Sequence, residues 1–597
     1  MLDFSLPALY QVPSGGNLSD LVQQNAERHP DVAVLSRKVD GQWQELTAAQ
    51  FLVEVYAAAK GLIASGVRPG DRVGIMSRTR YEWTLLDFAI WSAGAITVPV
   101  YESSSAEQVE WILGDSGAVA VLTETDQHAK VVAEVRDRLP ELKQTWQIEG
   151  GALAALAEAG SEVTDATVTE ARSTATADSI ATIVYTSGTT GRPKGCQLTH
   201  GNFLAECGNV VERLEPLFRT GESSVLLFLP LAHVLGRIAE IAPAMAPIKL
   251  GHVSDLKDVT AELAAFRPTL ILGVPRVFEK VYNTARAKAQ ADGKGKIFDR
   301  AADTAIAYSR ALDSGRVGLG LRIKHAVFDK LVYSKLRAAL GGRATHAISG
   351  GAPLGERLGH FYRGIGFTVL EGYGLTETCA ATAFNPWDKP KIGTVGQPLP
   401  GSAARIAEDG EVLLKGPQVF TGYWNNPQAT TDALKDGWFA TGDLGSLDSE
   451  GYLTITGRKK EIIVTAGGKN VAPAVIEDRI RAHALVGEVM VVGDRKPFVA
   501  CLITVDPDFF PKWKELHGKP ATATVAELSQ DPELLAALQA AVDDGNAAVS
   551  HAEAVKKFRL LDAEFTEESG HLTPSLKLKR NVVLKDFAAD IEAIYQK

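Results

Sequence analysis

The sequence predicts an α/β protein: a large N-terminal domain of βαβ-type sheet subdomains plus a small β-rich layer, followed by a small α+β C-terminal domain. Three observations lead there. The chain has 597 residues, 45% of them hydrophobic and 22% charged, which is the composition of a globular protein too long for one core. From position 71 onward short apolar runs alternate with stretches of helical length, as in parallel strands joined by crossover helices. Between positions 391 and 456 the pattern changes to short strands punctuated by glycine, and a stretch of separate-domain size follows.

Taken in order, 71–77, 95–100 and 118–123 read as strands, with helices over 82–93 and 106–115 between them. A second alternation places strands at 225–230, 248–252 and 269–274. Residues 161–178, rich in Ala, Thr and Ser, read as a surface connection; 284–296 reads as a polar helix ending in a Gly-Lys-Gly-Lys turn. The β-rich layer is carried by AARIAEDGEVLLKG and GYLTITGR, and beyond it 489–492 and 499–505 read as strands of the C-terminal domain.

The net charge of −10 gives no electrostatic reason to expect nucleic-acid binding. Cys196, Cys207, Cys379 and Cys501 lie far apart, with no CxxC pair, so neither a disulfide framework nor a zinc site is expected and a reducing cytoplasm fits. No secretory signal precedes the first apolar pattern. The most apolar stretch, 83–101, is interrupted by Asp87 and Pro99 and reads as a buried helix followed by a strand, not a membrane span. Peripheral membrane contact leaves no signature at this level.

The strongest local signal is Tyr185-Thr-Ser-Gly-Thr-Thr-Gly-Arg-Pro-Lys-Gly195, which follows the strand-like run 180–185. Glycines let backbone N–H groups approach a phosphate, hydroxyls add donors, and Lys194 adds a charge. Gly191 is followed by Arg-Pro-Lys, so GxxxxGK[ST] cannot be laid onto the loop and a P-loop kinase or ATPase is disfavoured.

This loop resembles the phosphate-binding signature of the adenylate-forming superfamily of acyl- and aryl-CoA synthetases, peptide-synthetase adenylation domains and firefly luciferase. Further segments follow in the family's order. Leu229-Pro-Leu-Ala-His-Val resembles the motif whose histidine, His233, sits beside the acyl group. Ser349-Gly-Gly-Ala-Pro and Glu371-Gly-Tyr-Gly-Leu-Thr-Glu377 resemble the adenine- and magnesium-binding segments. Trp438-Phe-Ala-Thr-Gly-Asp443 resembles the ribose segment, Gly457-Arg-Lys-Lys-Glu the interdomain hinge, and Thr573-Pro-Ser-Leu-Lys-Leu-Lys-Arg580 the catalytic-lysine segment. The last reads Ser-Leu-Lys where many relatives have Ser-Gly-Lys, which resembles the long-chain fatty-acid branch and leaves Lys579 as a rival to Lys577. Segments 274–280 and 328–341 resemble those of bacterial and eukaryotic long-chain fatty acyl-CoA synthetases, and over nearly the whole chain the sequence is most similar to long-chain fatty acid–CoA ligases of actinobacterial type.

The resemblance implies residues 1–456 as the adenylation domain, 457–462 as the hinge and 463–597 as a mobile domain. It implies ATP, magnesium and coenzyme A as cofactors or co-substrates, a long-chain fatty acid as the acid, and two half-reactions. In the first, Thr186, Ser187, Gly188, Thr189, Thr190, Gly191 and Lys194 hold the departing pyrophosphate. Glu377 holds magnesium, Asp443 and Arg458 hold the ribose, and Lys577 bridges carboxylate and α-phosphate. Gly350, Gly351, Ala352, Glu371, Gly372, Gly374 and Thr376 line the nucleotide site, where Tyr373 stacks on adenine. In the second, the C-terminal domain pivots at Lys460 and brings Gly467 and Gly468 to the pantetheine channel. The rivals are an acyl-AMP ligase that stops at the adenylate, a ligase for a medium-chain or aryl acid, and an inactive lipid-binding homologue.

Overall fold

The computed structural model describes residues 2–186, 192–255, 257–573 and 576–596. Ser187, Gly188, Thr189, Thr190 and Gly191 therefore lie outside the described residues, as do Pro574 and Ser575.

Among the described residues, the chain up to position 458 builds three sheets. In the first, Ile180–Thr186, Ile96–Val100, Arg72–Met76, Ala120–Thr123 and Gln144–Gln147 run parallel, and Lys194–Thr199 and Gly422–Tyr423 add an antiparallel edge. The second has nine strands, with Thr368–Tyr373, His346–Ser349, Leu270–Gly273, Ser224–Leu227, Lys249–His252 and Ala33–Val39 parallel at its centre. Central strands of such sheets are buried on both faces, and every residue of Ile96–Val100 is buried. One apolar cluster runs through both sheets, which fixes their mutual placement. The third sheet is the antiparallel β-rich layer, built on Ala403–Ile406, Glu411–Lys415, Trp438–Leu447 and Leu453–Arg458.

The smaller domain has its own core. Val486–Val492, Val499–Val505 and Val555–Leu560 form a three-stranded sheet. One face packs Val489, Cys501 and Ile503 under Ile476 and Leu538; the other packs Met490 and Leu502 under Val583 and Ile594.

The structure departs from the sequence expectations in three places. Residues 161–178 are not only a connection, because Asp165–Arg172 is helical. The Thr164 hydroxyl accepts from Thr167 N–H at 3.2 Å, and Val168 is buried, so a good cap and one apolar anchor sufficed. The Gly-Lys-Gly-Lys segment turns only at Gly293 (φ +71°), and a new helix begins at Gly295. The β-rich layer recruits Leu2–Ser5, which pairs antiparallel with Ala403–Ile406.

The stretch read as a buried helix and strand is one: Tyr81–Ser92, then Ile96–Val100, both inside the core. Among the described residues no helix is long and apolar enough to cross a membrane. Asp87, in the middle of that helix, accepts two hydrogen bonds from Arg237 at 2.9 and 3.0 Å and a third from Trp83 Nε1 at 3.0 Å, with both ionised side chains fully buried. This pair ties Tyr81–Ser92 to Val234–Met245, the helix capped by His233. Removing one partner leaves an uncompensated buried charge. Arg237→Met should therefore destabilise the N-terminal domain by about 3–5 kcal/mol, while the double change Asp87→Leu/Arg237→Met should cost much less. Denaturant unfolding of both variants checks this, and equal losses would refute the assignment.

Candidate active site

The phosphate-type loop connects Ile180–Thr186 to Lys194–Thr199, whose antiparallel register sets Thr186 opposite Lys194. The loop's base is thereby held by sheet hydrogen bonds. Lys194 Nζ lies 4.6 Å from the Tyr423 ring centroid, over its face. The Tyr423 hydroxyl donates to Glu377 Oε1 at 2.7 Å. Lysine, tyrosine and glutamate thus form one chain from the loop to the candidate metal carboxylate. Tyr423 is a residue the sequence reading missed, since a single aromatic in Phe-Thr-Gly-Tyr carries no signal of its own.

Glu377 sits on the single turn Thr376–Thr378 that follows the strand Thr368–Tyr373. The turn is held by Leu375 N–H donating to Thr378 Oγ1 at 2.9 Å, and by Phe420 N–H donating to the Glu377 carbonyl at 2.8 Å. Gly374 is obligatory there: a Cβ would lie 1.7 Å from the Ala380 carbonyl oxygen. Gly372, two residues earlier on the strand, faces the Phe384 ring, 2.9 Å from where a Cβ would be.

Asp443 stands on Trp438–Leu447 directly opposite Arg458 on Leu453–Arg458. Only 4% of it is exposed. Its Oδ2 accepts from the Tyr373 hydroxyl at 2.6 Å, its Oδ1 meets Arg458 Nε at 3.1 Å, and its own N–H donates to Thr441 Oγ1 at 3.0 Å. Burial and then the adjacent Asp443 carboxylate push the Tyr373 hydroxyl well above its ordinary range. Tyr373 therefore keeps its proton and donates a hydrogen bond to Asp443.

Lys577 is presented by a tight loop of the smaller domain. Leu572 bridges Leu578, Thr573 N–H donates to the Lys577 carbonyl at 2.8 Å, and Lys577 N–H donates to Thr573 Oγ1 at 3.0 Å. Leu576 takes a left-handed φ of +58° to close it. Desolvation and then the like charge of Arg458 lower the Lys577 pKa; Asp443, Glu377 and Glu461 oppose them. The ammonium is thus close enough to residues of three separate sequence motifs to sense each. Lys579, the rival, starts the helix Arg580–Asp586 as its cap, with N–H donating to the His571 carbonyl.

His233 belongs to the same neighbourhood. Desolvation, and secondarily Lys577, push its imidazole down to about 3. Its Nδ1 accepts from Leu235 N–H at 3.2 Å, so the neutral ring carries its proton on Nε2.

Gly350 follows the strand His346–Ser349 and donates to the Gly273 carbonyl at 3.3 Å; Gly351 (φ +84°) and Ala352 are exposed beside it. Glu371 is buried and accepts from Leu354 N–H at 2.9 Å. Two predicted features stand apart. Lys460 is exposed in the turn Lys459–Glu461. Gly467 and Gly468 are exposed at the tip of the hairpin formed by Ile463–Val464 and Asn470–Val471, whose loop is tied through Ala466 N–H to the Lys496 carbonyl and through Lys469 to Glu553.

Burial pushes the Glu371 carboxyl up from 4.5 to about 7, only partly offset by the Leu354 N–H. The folded protein therefore holds this proton more tightly than the unfolded chain, and the stability it contributes is lost as pH rises from 4.5 through 7. Glu371→Gln should be more stable relative to the parent at pH 8 than at pH 5, by about 3 kcal/mol at most. A pH-independent difference in unfolding midpoint would show that Glu371 is not protonated in the fold.

Comparisons with known proteins identify the family. A family model described as AMP-binding enzyme matches residues 22–424, and one described as AMP-binding enzyme C-terminal domain matches 460–597. The chain is 54% identical over 600 aligned residues to proteins of Mycobacterium bovis and Mycobacterium tuberculosis named long-chain-fatty-acid–CoA ligase FadD15, covering 100% of each. It is 30% identical to the long-chain-fatty-acid–CoA ligase heimdall of Drosophila melanogaster, over 97% of this chain and 95% of that one. Among solved structures, the anthranilate CoA ligase AuaEII in complex with anthranoyl-AMP aligns with a TM-score of 0.70 at 20% identity, covering 97% of this chain and 99% of the other. A Mycobacterium tuberculosis fatty acyl CoA synthetase aligns with a TM-score of 0.61 at 24% identity, covering 96% and 99%. The two structures share the fold, and the family models and curated relatives together span the described site: the chain belongs to the AMP-binding enzyme family.

Proposed function

We propose that the protein ligates a long-chain fatty acid to coenzyme A, through an acyl-adenylate made from ATP, releasing AMP and pyrophosphate. The observation that carries this reading is the cluster of motif residues built on Asp443, bonded to Tyr373 at 2.6 Å and Arg458 at 3.1 Å, with Lys577 of the smaller domain within reach of the Arg458, Asp443 and Glu377 charges. The names of the relatives that match the whole chain support the choice of acid and of thiol.

In the first half-reaction a fatty-acid carboxylate oxygen attacks the α-phosphorus of ATP, and the bond to the bridging oxygen of pyrophosphate breaks. No protein nucleophile is required; positioning and charge neutralisation are. The Lys577 ammonium would lie between carboxylate and α-phosphate as negative charge moves to the leaving group. Thr186 and Lys194 would hold that group from the loop's base. Asp443 has two lone-pair positions beyond those taken by Tyr373 and Arg458 with which to accept from ribose hydroxyls. Tyr373, fixed by its hydroxyl, would offer its ring to adenine. Glu377 is the carboxylate that would hold magnesium, which when bound supplies charge neutralisation on the phosphates. One carboxylate suits a cation that keeps several waters and takes phosphate oxygens; among the described residues no three His, Cys, Asp or Glu side chains cluster as a protein cage.

In the second half-reaction the thiolate of coenzyme A attacks the acyl carbon, and AMP leaves with the former carboxylate oxygen. For this the smaller domain, residues 463–597, would rotate about 457–462 with its pivot at Lys460, replacing Lys577 with the Gly467–Gly468 segment.

With ATP, magnesium, coenzyme A and a C16–C18 acid, purified protein should form acyl-CoA, AMP and pyrophosphate, followed by thioester detection and AMP release. Accumulating acyl-AMP in the presence of coenzyme A would instead identify an enzyme that stops at the adenylate. Glu377→Gln should lower adenylation by about 10²-fold or more at limiting magnesium; unchanged rates would remove it from the metal site.

The two faces of the smaller domain should separate by mutation. Lys577→Ala should abolish acid-dependent pyrophosphate exchange yet still convert supplied acyl-AMP and coenzyme A to thioester. Lys460→Pro, which fixes φ at the pivot, should do the reverse. If Lys577→Ala loses both half-reactions in protein that melts normally, alternation is wrong for this enzyme.

A further inference from the structure

The excursion between Gly273 and His346 ends in a continuous helical rod: Leu319–Phe328, a π-helical turn Asp329–Tyr333, and Ser334–Ala339. One side of this rod is anchored. His325 stacks on Tyr308 with centroids 3.9 Å apart and bonds the Gly364 carbonyl at 2.6 Å, and the Tyr333 hydroxyl donates to the Ala301 carbonyl at 2.7 Å. The other side carries a second apolar row at four-residue spacing: Leu319, Ile323, Val327 and Leu331, exposed by 74%, 58%, 51% and 53%. Four large aliphatic side chains in a line, each more than half exposed, exceed the scatter of single apolar residues that any surface shows.

The charges around this row are one-sided. Arg316, Arg322, Lys324, Lys330 and Lys335 lie on the same rod or at its start, and none pairs with a described acid. The two acids of the segment are already engaged, Asp329 with Arg337 and Asp313 with Arg363. A patch with five uncompensated cations thus stands on a chain of net charge −10. A second copy of this chain would bring cations against cations across the row. An aliphatic row rimmed by lysine and arginine instead matches an interfacial helix, with its apolar side chains among acyl tails and its cations at anionic headgroups.

We propose that the outer face of 319–335 docks on an anionic lipid surface, holding the protein where a long-chain acid is dissolved. The choice of lipid over another occupant rests in part on the long-chain reading above.

The test is flotation with vesicles, run without ATP or acid so that docking is read separately from ligation. The parent protein should co-float with phosphatidylcholine vesicles containing about 30 mol% phosphatidylglycerol, and about tenfold less with phosphatidylcholine alone or at about 0.5 M salt. Ile323→Glu/Val327→Glu keeps helix-compatible residues but should reduce co-flotation about tenfold. Arg322→Gln/Lys330→Gln should weaken it on anionic vesicles only. Both variants should melt at the parent's temperature and ligate a detergent-dispersed long-chain acid at the parent's rate, which shows that they are folded. Absent binding by the parent, undiminished binding by Ile323→Glu/Val327→Glu, or a concentration-dependent dimer that this variant abolishes would each overturn the proposal.

Discussion

The buried carboxylate of Asp443 is the fixed point of the cleft. With 4% exposure it requires compensation, which comes from two different parts of the chain: the Tyr373 hydroxyl from the parallel sheet and Arg458 from the β-rich layer. Those bonds join the second sheet to the third at the point where the strands end and the nucleotide-type motifs begin. Arg458 is also the last residue of its strand, so the same ion pair fixes where the smaller domain's connection leaves the larger one. A change at Asp443 would therefore disturb ligand contacts, sheet docking and domain exit together.

A second constraint lies deeper. The Asp87–Arg237 pair and the nearby Glu240, kept neutral by burial and then by the Asp87 charge, occupy the centre of the larger domain. Replacing them with apolar residues could leave the core as stable. Their consequence is directional: a bidentate pair locks the rotation of Val234–Met245, and with it the position of His233 at its N-terminus. The histidine needs such a mount, because its ring must stay neutral beside Lys577 with Nδ1 turned to its own helix.

How far this was legible in the sequence follows the range of the forces involved. The alternation of 71–123 appears almost residue for residue as Arg72–Met76, Tyr81–Ser92, Ile96–Val100, Ala106–Ser116 and Ala120–Thr123, because burial on both faces leaves long apolar runs. Motif residues such as Glu377, Asp443 and Lys577 were legible because each sits in a local segment with distinctive glycine or lysine chemistry. What was hidden is non-local. Nothing in Leu2–Ser5 announces a partner about 400 residues away. Nothing around Tyr423 states that its hydroxyl meets Glu377, 46 residues earlier. The exposed row of the helical rod was hidden for a different reason: periodicity marks a residue as apolar, and only packing decides whether the face is covered.

The contact between the two domains completes the physical picture. Each domain has its own apolar clusters, and polar links join them: Arg276 with Asp506 at 2.6 Å, Lys280 with Asp508 at 3.0 Å, and the Ser103 hydroxyl donating to Glu567 Oε1 at 2.5 Å. The second pair is more than half exposed on both sides, and exposed pairs contribute about 0–1 kcal/mol each. The charges that Lys577 meets in the cleft act alongside these links. Without substrate it meets desolvation and the like charge of Arg458, both of which disfavour its ammonium, against the attraction of Asp443 and Glu377. ATP would reverse that balance by adding phosphate charge, and departing pyrophosphate would restore it. Under the proposed alternation, the substrate's own charge draws the lysine in, and its loss, with Arg458 still in place, releases the domain for the thiol step.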